Sequence, residues 1–88
     1  MAVKPPLIHV EVADLPALRL TEAMREMLLE PVDRTRGGDD VVCYTPRRTN
    51  YALLHRKLID ASNRITPLGR GVVAALKRRA QARREFGL

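Results

Sequence analysis

The N-terminal part of the chain alternates hydrophobic and polar positions with a period of two. The β-branched residues on one side of this alternation are Ile8, Val10 and Val12. Side chains of this type at this period favour extended structure. The pattern predicts a strand over residues 7–12, which Asp14 and Pro16 end. We expect the strand to pair either with a second predicted strand at residues 41–44 or with a second copy of the chain.

The pattern then changes to a helical period. Four apolar residues recur on one face at helical spacing: Leu20, Met24, Met27 and Leu28. Thr21 is a suitable N-cap, Glu22 complements the helix dipole in the first turn, and Pro31 stops the helix. The alternative is a longer helix that starts at Asp14, with Pro16 in its first turn. The shorter helix is the preferred prediction.

The middle of the chain predicts a loop, a short strand and a second helix. Residues 32–40 have the composition of a loop, and the apolar run 41–44 follows them. Thr45 and Pro46 are typical of an N-cap followed by proline at the first helical position, so we expect a helix over residues 46–58. Its predicted buried side chains are Leu53, Leu54 and Leu58, with Tyr51 as a further candidate, and its predicted exposed side chains include Arg47, Arg48 and Asn50.

A very short hairpin and a long helix complete the pattern. Residues 59–66 place a polar centre between apolar positions, which is compatible with a hairpin. Thr66 and Pro67 repeat the cap-and-proline signal and open the last helix. Its predicted apolar face consists of Leu68, Val72, Leu76 and Ala80, with Val73 and Ala75 beside it. Beyond Leu76 basic residues replace the apolar ones, so we expect that end of the helix to project from the core.

Length and composition limit the chain to one small domain with an aliphatic core. It has 88 residues, 3% aromatic residues and a single cysteine, Cys43. Neither an intrachain disulfide nor a zinc-binding set of cysteines and histidines is therefore expected. No targeting segment and no apolar segment of membrane-spanning length is visible, so we expect a cytoplasmic protein without membrane contact.

The charge is distributed unevenly along the chain. Residues 1–44 have five Lys and Arg against eight acidic residues, a net charge of −3. Residues 45–88 have eleven against two, a net charge of +9, which gives +6 for the whole chain. A basic half of this kind suggests a binding face for a polyanion. The alternative is a solvated basic face that serves only solubility.

Two segments of the basic half resemble winged helix-turn-helix domains. The matching positions are Thr49, Ala52, Leu53, Arg56, Leu58 and Ile59, followed by Ile65, Thr66, Pro67, Gly69 and Arg70. The chain is similar to small bacterial regulators of the multiple-antibiotic-resistance and phenolic-acid types over residues 18–76. The helix-turn-helix unit is shortened. Lys57 stands where this family commonly has glycine, so we expect the helix to end without a left-handed residue.

This resemblance implies an α+β fold that is mainly helical, namely a small winged helix with three main helices, a minimal β-wing and an N-terminal strand. Residues 1–6 would form a flexible arm, residues 7–76 the winged-helix domain and residues 77–88 a basic helical extension. It also implies a transcriptional regulator that binds double-stranded DNA. Helix 46–58 would enter the major groove and hairpin 60–65 would contact the backbone. An isolated domain this short suits a phage-encoded regulator.

The predicted DNA contacts lie on the second helix and the hairpin. They are Arg47, Arg48, Thr49, Asn50, Arg56, Lys57 and Arg64. Arginine suits guanine, asparagine suits adenine, and hydroxyl groups and helix N-termini suit phosphate. Tyr51 is more typical of packing than of base stacking. Arg34 and Arg36 are weaker candidates because Asp39 and Asp40 follow them and would repel phosphate.

The basic residues of the last helix have two interpretations that the sequence leaves equal. They are Lys77, Arg78, Arg79, Arg83 and Arg84. They either bind the DNA backbone or belong to a solvated helix end that joins a dimer interface. A homodimer through strand 7–12 or through this helix is therefore a further hypothesis. Arg70 is predicted to brace the fold.

Enzyme chemistry finds little support in the sequence. His9, His55 and Cys43 have no visible partners for a nucleophilic set, and the carboxylates are scattered. We therefore expect no catalytic site, no cofactor and no metal. Two rivals to a DNA-binding regulator stay open. One is a winged-helix interaction module that binds an acidic protein partner, and the other is an RNA-binding accessory protein.

Overall fold

A computed structural model describes residues 7–30, 41–43 and 46–87. The described elements are a 3₁₀ helix Val12–Leu18, α1 Glu22–Leu29, α2 Arg47–His55 and α3 Pro67–Phe86. α3 packs against the 3₁₀ helix and α1, and α1 also packs against α2. Within the described ranges, β pairing consists of two isolated antiparallel bridges, Val41–Arg64 and Ile59–Ile65. The prediction of a mainly helical fold is confirmed.

The predicted N-terminal strand is wrong. Residues 7–11 form no strand, and the 3₁₀ helix begins at Val12 and contains Pro16. The Ile8 N–H donates to the Pro67 carbonyl at 2.9 Å, and the Arg78 guanidinium donates to the Val10 carbonyl. The backbone of this segment therefore finds partners on α3 of the same chain. Among the described residues, segment 7–12 therefore forms no strand pairing with residues 41–43.

The first long helix agrees with the shorter of the two predictions. The Thr21 Oγ1 accepts from the Met24 N–H at 3.2 Å, which caps α1 as expected. Arg19 adopts a left-handed backbone conformation with φ 51°, and this residue separates the 3₁₀ helix from α1. The buried residues of α1 are Met24, Met27 and Leu28, while Leu20 packs against the core from a partly buried position. Pro31, the predicted stop, and loop 32–40 lie outside the described residues.

The second helix is shorter than the predicted 46–58. α2 ends at His55, and Lys57 adopts the left-handed conformation with φ 60°. The Leu58 N–H donates to the Leu53 carbonyl and the Lys57 N–H donates to the Leu54 carbonyl, which is the Schellman pattern of a helix end. Leu53 and Leu58 are both buried and provide the apolar contact that accompanies this pattern. The expectation that the helix ends without a left-handed residue is wrong, because lysine here takes the role usually given to glycine.

The burial of α2 differs from the prediction at two positions. Leu53 is fully buried, but Tyr51 is 59% exposed and Leu54 is 36% exposed. Thr49 takes the second buried position on this helix, one turn before Leu53. Pro46 occupies the N-cap position, and the predicted cap Thr45 lies outside the described residues.

A short turn with hairpin-like hydrogen bonds connects α2 to α3 where the sequence predicted a hairpin, and the β pairing across it is one isolated bridge, Ile59–Ile65. The Asn63 N–H donates to the Asp60 carbonyl at 3.0 Å, and Asn63 has φ 63°. This is the arrangement of a three-residue hairpin loop, in which a turn is followed by one left-handed residue. The Asp60 carboxylate accepts from the N–H groups of Ser62 and Arg64 and holds the loop. On the other side, the Val42 N–H donates to the Asn63 carbonyl at 2.8 Å.

The last helix begins as predicted and lies against Leu58, in the segment that follows α2. The Thr66 Oγ1 accepts from the Gly69 N–H at 3.0 Å, with Pro67 at the first helical position. A Cβ atom at Gly69 would overlap the Leu58 carbonyl, so only glycine permits this approach. The apolar side chains that α3 buries are Val72, Ala75 and Leu76, whereas the predicted Ala80 is exposed. None of the described helices is long and apolar enough to cross a membrane.

Candidate nucleic-acid interface

One face of α2 is open to solvent and basic. Thr49 and Leu53 are one turn apart and buried, and they fix the rotation of the helix about its axis. Arg47, Arg48 and Tyr51 are exposed as a result. No acidic residue occurs in the sequence between positions 40 and 60, so no carboxylate within that stretch offsets their charge. This exposed face can present two guanidinium groups and an aromatic ring to a polyanion.

Three of the seven predicted DNA contacts take part in holding the fold. Thr49 is 8% exposed. The Asn50 Nδ2 donates to the Cys43 carbonyl at 2.9 Å and ties α2 to the segment before it. The Arg56 Nε donates to the Leu18 carbonyl at 2.7 Å, and its Nη1 donates to the Ala52 carbonyl at 3.0 Å. These side chains orient α2 rather than extend from it.

The other predicted contacts are exposed. Arg47 and Arg48 lie in the first turn of α2, Lys57 lies just past its end, and Arg64 lies on the hairpin opposite Val41. The structure therefore arranges four basic side chains along α2 and the hairpin that follows it. Arg34 and Arg36 lie outside the described residues.

A groove of about 410 Å³ separates α2 from the hairpin loop. Its α2 wall consists of Arg47, Asn50, Tyr51 and Leu54, and its hairpin wall consists of Asp60, Ala61 and Asn63. Sequence reasoning assigned Tyr51 to packing, but the structure exposes it in this groove. The signal that could have indicated this is its spacing: Tyr51 lies four residues after Arg47, on the same helix face. Asp60 adds one negative charge on the opposite wall.

The C-terminal basic residues do not form one group. Lys77, Arg83 and Arg84 are exposed on the projecting half of α3. Arg78 is bound to the Val10 carbonyl, and Arg79 is partly buried beside the 3₁₀ helix and α1. Backbone binding and a dimer interface, the two interpretations of this cluster, therefore apply at most to Lys77, Arg83 and Arg84. Among the described residues, no group of three or more His, Cys, Asp or Glu side chains is placed to hold a metal ion.

Comparison of this chain with known protein families, with curated proteins and with solved structures finds no match. The geometry of α2 and the hairpin therefore carries the functional argument.

Proposed function

We propose that this chain is a small winged-helix protein that binds duplex DNA and regulates transcription, with α2 in the major groove and hairpin 59–65 as the wing. The observation that supports it is the exposed basic face of α2, next to a hairpin that carries a further arginine. With its side chains an α-helix is about 10–12 Å in diameter, which fits the roughly 12 Å width of the major groove.

The roles of the side chains follow from their positions. Arg47 and Arg48, at the helix start, are the residues proposed to bind guanine edges or the phosphates beside them. Lys57 and Arg64 would contact the backbone on either side, where charge supplies affinity without selecting a sequence. Tyr51 would lie against the sugar or a thymine methyl group.

The test is a binding titration with a selected pool of duplex DNA across a salt series. We expect affinity to fall steeply with salt, because each neutralised phosphate releases counterions. The double variant Arg47→Ala/Arg48→Ala should lose most of the preference for selected over random duplex. The charge-matched control Lys77→Ala/Arg84→Ala should lose the same affinity for the selected duplex as for the random duplex. Absence of duplex binding by the wild-type chain at low salt would refute the proposal.

A second candidate has its own supporting observation. Leu54 and Tyr51 place apolar surface in the groove between α2 and the hairpin, which suits a protein segment better than a phosphate backbone. The partner would be an acidic segment whose apolar residues enter this groove. In that case Leu54→Ala would reduce binding more than Arg48→Ala, and affinity would fall less steeply with salt than it does for duplex DNA. An RNA-binding protein would instead prefer RNA over the selected duplex in direct competition.

A further inference from the structure

We infer that a separate pocket, lined by Arg19, Arg25 and Arg79, binds a phosphate group. The pocket has a volume of about 190 Å³ and lies between the 3₁₀ helix, α1 and α3. It shares no lining residue with the groove between α2 and the hairpin. The pocket is distinct from the groove of the proposed DNA-binding face, and of its three arginines the sequence indicated only Arg79 as a possible backbone or partner contact.

The three arginines come from three different parts of the fold. Arg19 follows the 3₁₀ helix, where its left-handed backbone conformation is held by a bond from its N–H to the Pro16 carbonyl at 3.2 Å. Arg25 belongs to α1, and its Nη1 donates to the Leu20 carbonyl at 2.7 Å. A guanidinium has five N–H donors, so this bond orients Arg25 and leaves others for a ligand. Arg79 completes the set from α3.

The charge of this pocket is not balanced by the described part of the chain. The ion pair found among the described residues joins His9 to Glu11, and no described carboxylate pairs with the three arginines. Burial, together with the neighbouring charges of Arg83 and Arg25, lowers the pKa of Arg79 below its ordinary value. A base whose pKa is lowered on folding destabilises the folded state at neutral pH, where it is charged in both states. An anion in the pocket would relieve this cost.

The chemistry of the pocket favours phosphate over a carboxylate. A tetrahedral phosphate has several oxygens that can accept from guanidinium groups in different directions, and it carries up to two charges. The apolar wall, which includes Leu15 and Leu76, excludes water from one side and strengthens these bonds. The phosphate can belong to a nucleic-acid backbone or to a small phosphorylated molecule.

The first experiment uses inorganic phosphate as the probe. Thermal unfolding of the wild-type chain is followed by circular dichroism in sodium phosphate and in sodium chloride of equal ionic strength. For a dissociation constant on the order of 10 mM, 100 mM phosphate should raise the midpoint by roughly 8 °C. Arg79→Gln should abolish this rise, and Arg84→Gln, an exposed arginine on the same helix, should retain it. No rise in the wild type, or equal rises in all three proteins, would overturn the inference.

A purely structural role for Arg79 predicts a different result. In chloride, Arg79→Gln should unfold at the same temperature as the wild type or higher, because it removes mutual repulsion. A structural arginine would instead lower the midpoint when replaced, and a lower midpoint with an unchanged response to phosphate contradicts the inference. Arg19→Gln, at an exposed position, gives a second test if Arg79→Gln does not fold.

The source of the phosphate is decided by a second comparison in chloride. If the pocket receives a DNA phosphate, Arg19→Gln/Arg79→Gln should lose on the order of tenfold more duplex affinity than Lys77→Gln/Arg84→Gln, which removes the same charge. If the two double variants lost the same duplex affinity, the phosphate bound in the pocket would belong to a small phosphorylated molecule. The unfolding experiment contains no DNA, so failure of the proposed function leaves the test of the pocket intact.

Discussion

The two ends of α2 both carry basic residues, yet the structure uses them differently. At the start of the helix, the side chains of Arg47 and Arg48 are exposed, and neither has a hydrogen-bond partner among the described residues. At the other end, Arg56 donates to the backbone carbonyls of Leu18 and Ala52. The difference lies in the surroundings of each side chain: the Leu18 carbonyl comes within hydrogen-bonding distance of Arg56, whereas at the start of the helix the Cys43 carbonyl accepts from Asn50. The arginines at the two ends of this helix therefore divide into exposed side chains and a side chain that holds the fold, according to the acceptors near each one.

The end of α2 is also fastened to the start of α3. The Thr66 hydroxyl donates to the Lys57 carbonyl at 2.7 Å, and the Thr66 N–H donates to the Leu58 carbonyl at 3.0 Å. Substitutions at this junction should reduce stability, whereas substitutions of the exposed Arg47 and Arg48 at the start of α2 should leave stability almost unchanged.

The largest effect is expected at Gly69. A Cβ atom there would overlap the Leu58 carbonyl and press on the Ile65 side chain, so Gly69→Ala forces α3 away from the end of α2. We expect a loss of about 3 kcal/mol in the free energy of unfolding. The control is Gly87→Ala, where nothing lies within 4 Å and only the left-handed conformation, φ 67°, costs about 1 kcal/mol. Equal losses in urea titrations of the two variants would contradict the close contact.

The next effect concerns Arg56. Arg56→Ala removes the donors to the Leu18 and Ala52 carbonyls, and we expect a loss of about 1–3 kcal/mol. Arg48→Ala removes the same charge from the exposed end of α2 and should change stability by no more than about 0.5 kcal/mol. Chemical unfolding of both variants measures the difference. If Arg56→Ala were as stable as Arg48→Ala, the division between the two ends of α2 would be wrong.

Asn50 extends the comparison to the start of α2. Asn50→Ala breaks the bond to the Cys43 carbonyl and should cost about 1 kcal/mol of stability. Arg47→Ala should leave stability almost unchanged and reduce duplex binding more than Asn50→Ala does at a temperature where both are folded. If Asn50→Ala reduced duplex binding more than Arg47→Ala, Asn50 would be one of the base contacts.

The smallest effect is a gain of stability. Lys57 has φ 60°, a conformation that costs little only for glycine, so Lys57→Gly should stabilise the chain by about 0.5–1 kcal/mol. Lys77→Gly, within the exposed half of α3, should instead destabilise it by about 1 kcal/mol. If Lys57→Gly and Lys77→Gly changed the free energy of unfolding in the same direction and by similar amounts, the left-handed helix end would not form in solution.

Several features of this chain were predictable from short stretches of sequence. Thr21 and the Thr66-Pro67 pair mark the starts of α1 and α3, because a cap acts on N–H groups only a few residues away. The hairpin of residues 59–65 was predictable for the same reason, since its turn bonds stay within the loop. The basic character of the exposed α2 face also follows from local composition.

What the sequence by itself determined, then, is a mainly helical chain with defined helix starts, one hairpin and a basic surface. Only the tertiary structure decided the rest. The segment 7–12 has the period of a strand, but its partners lie on α3, more than fifty residues away. Arg19 and Arg79 are likewise more than fifty residues apart in the sequence, yet they line one pocket. Whether an arginine supports the fold, faces a groove or lines a pocket depends on which distant groups come within hydrogen-bonding distance, and no local pattern encodes that.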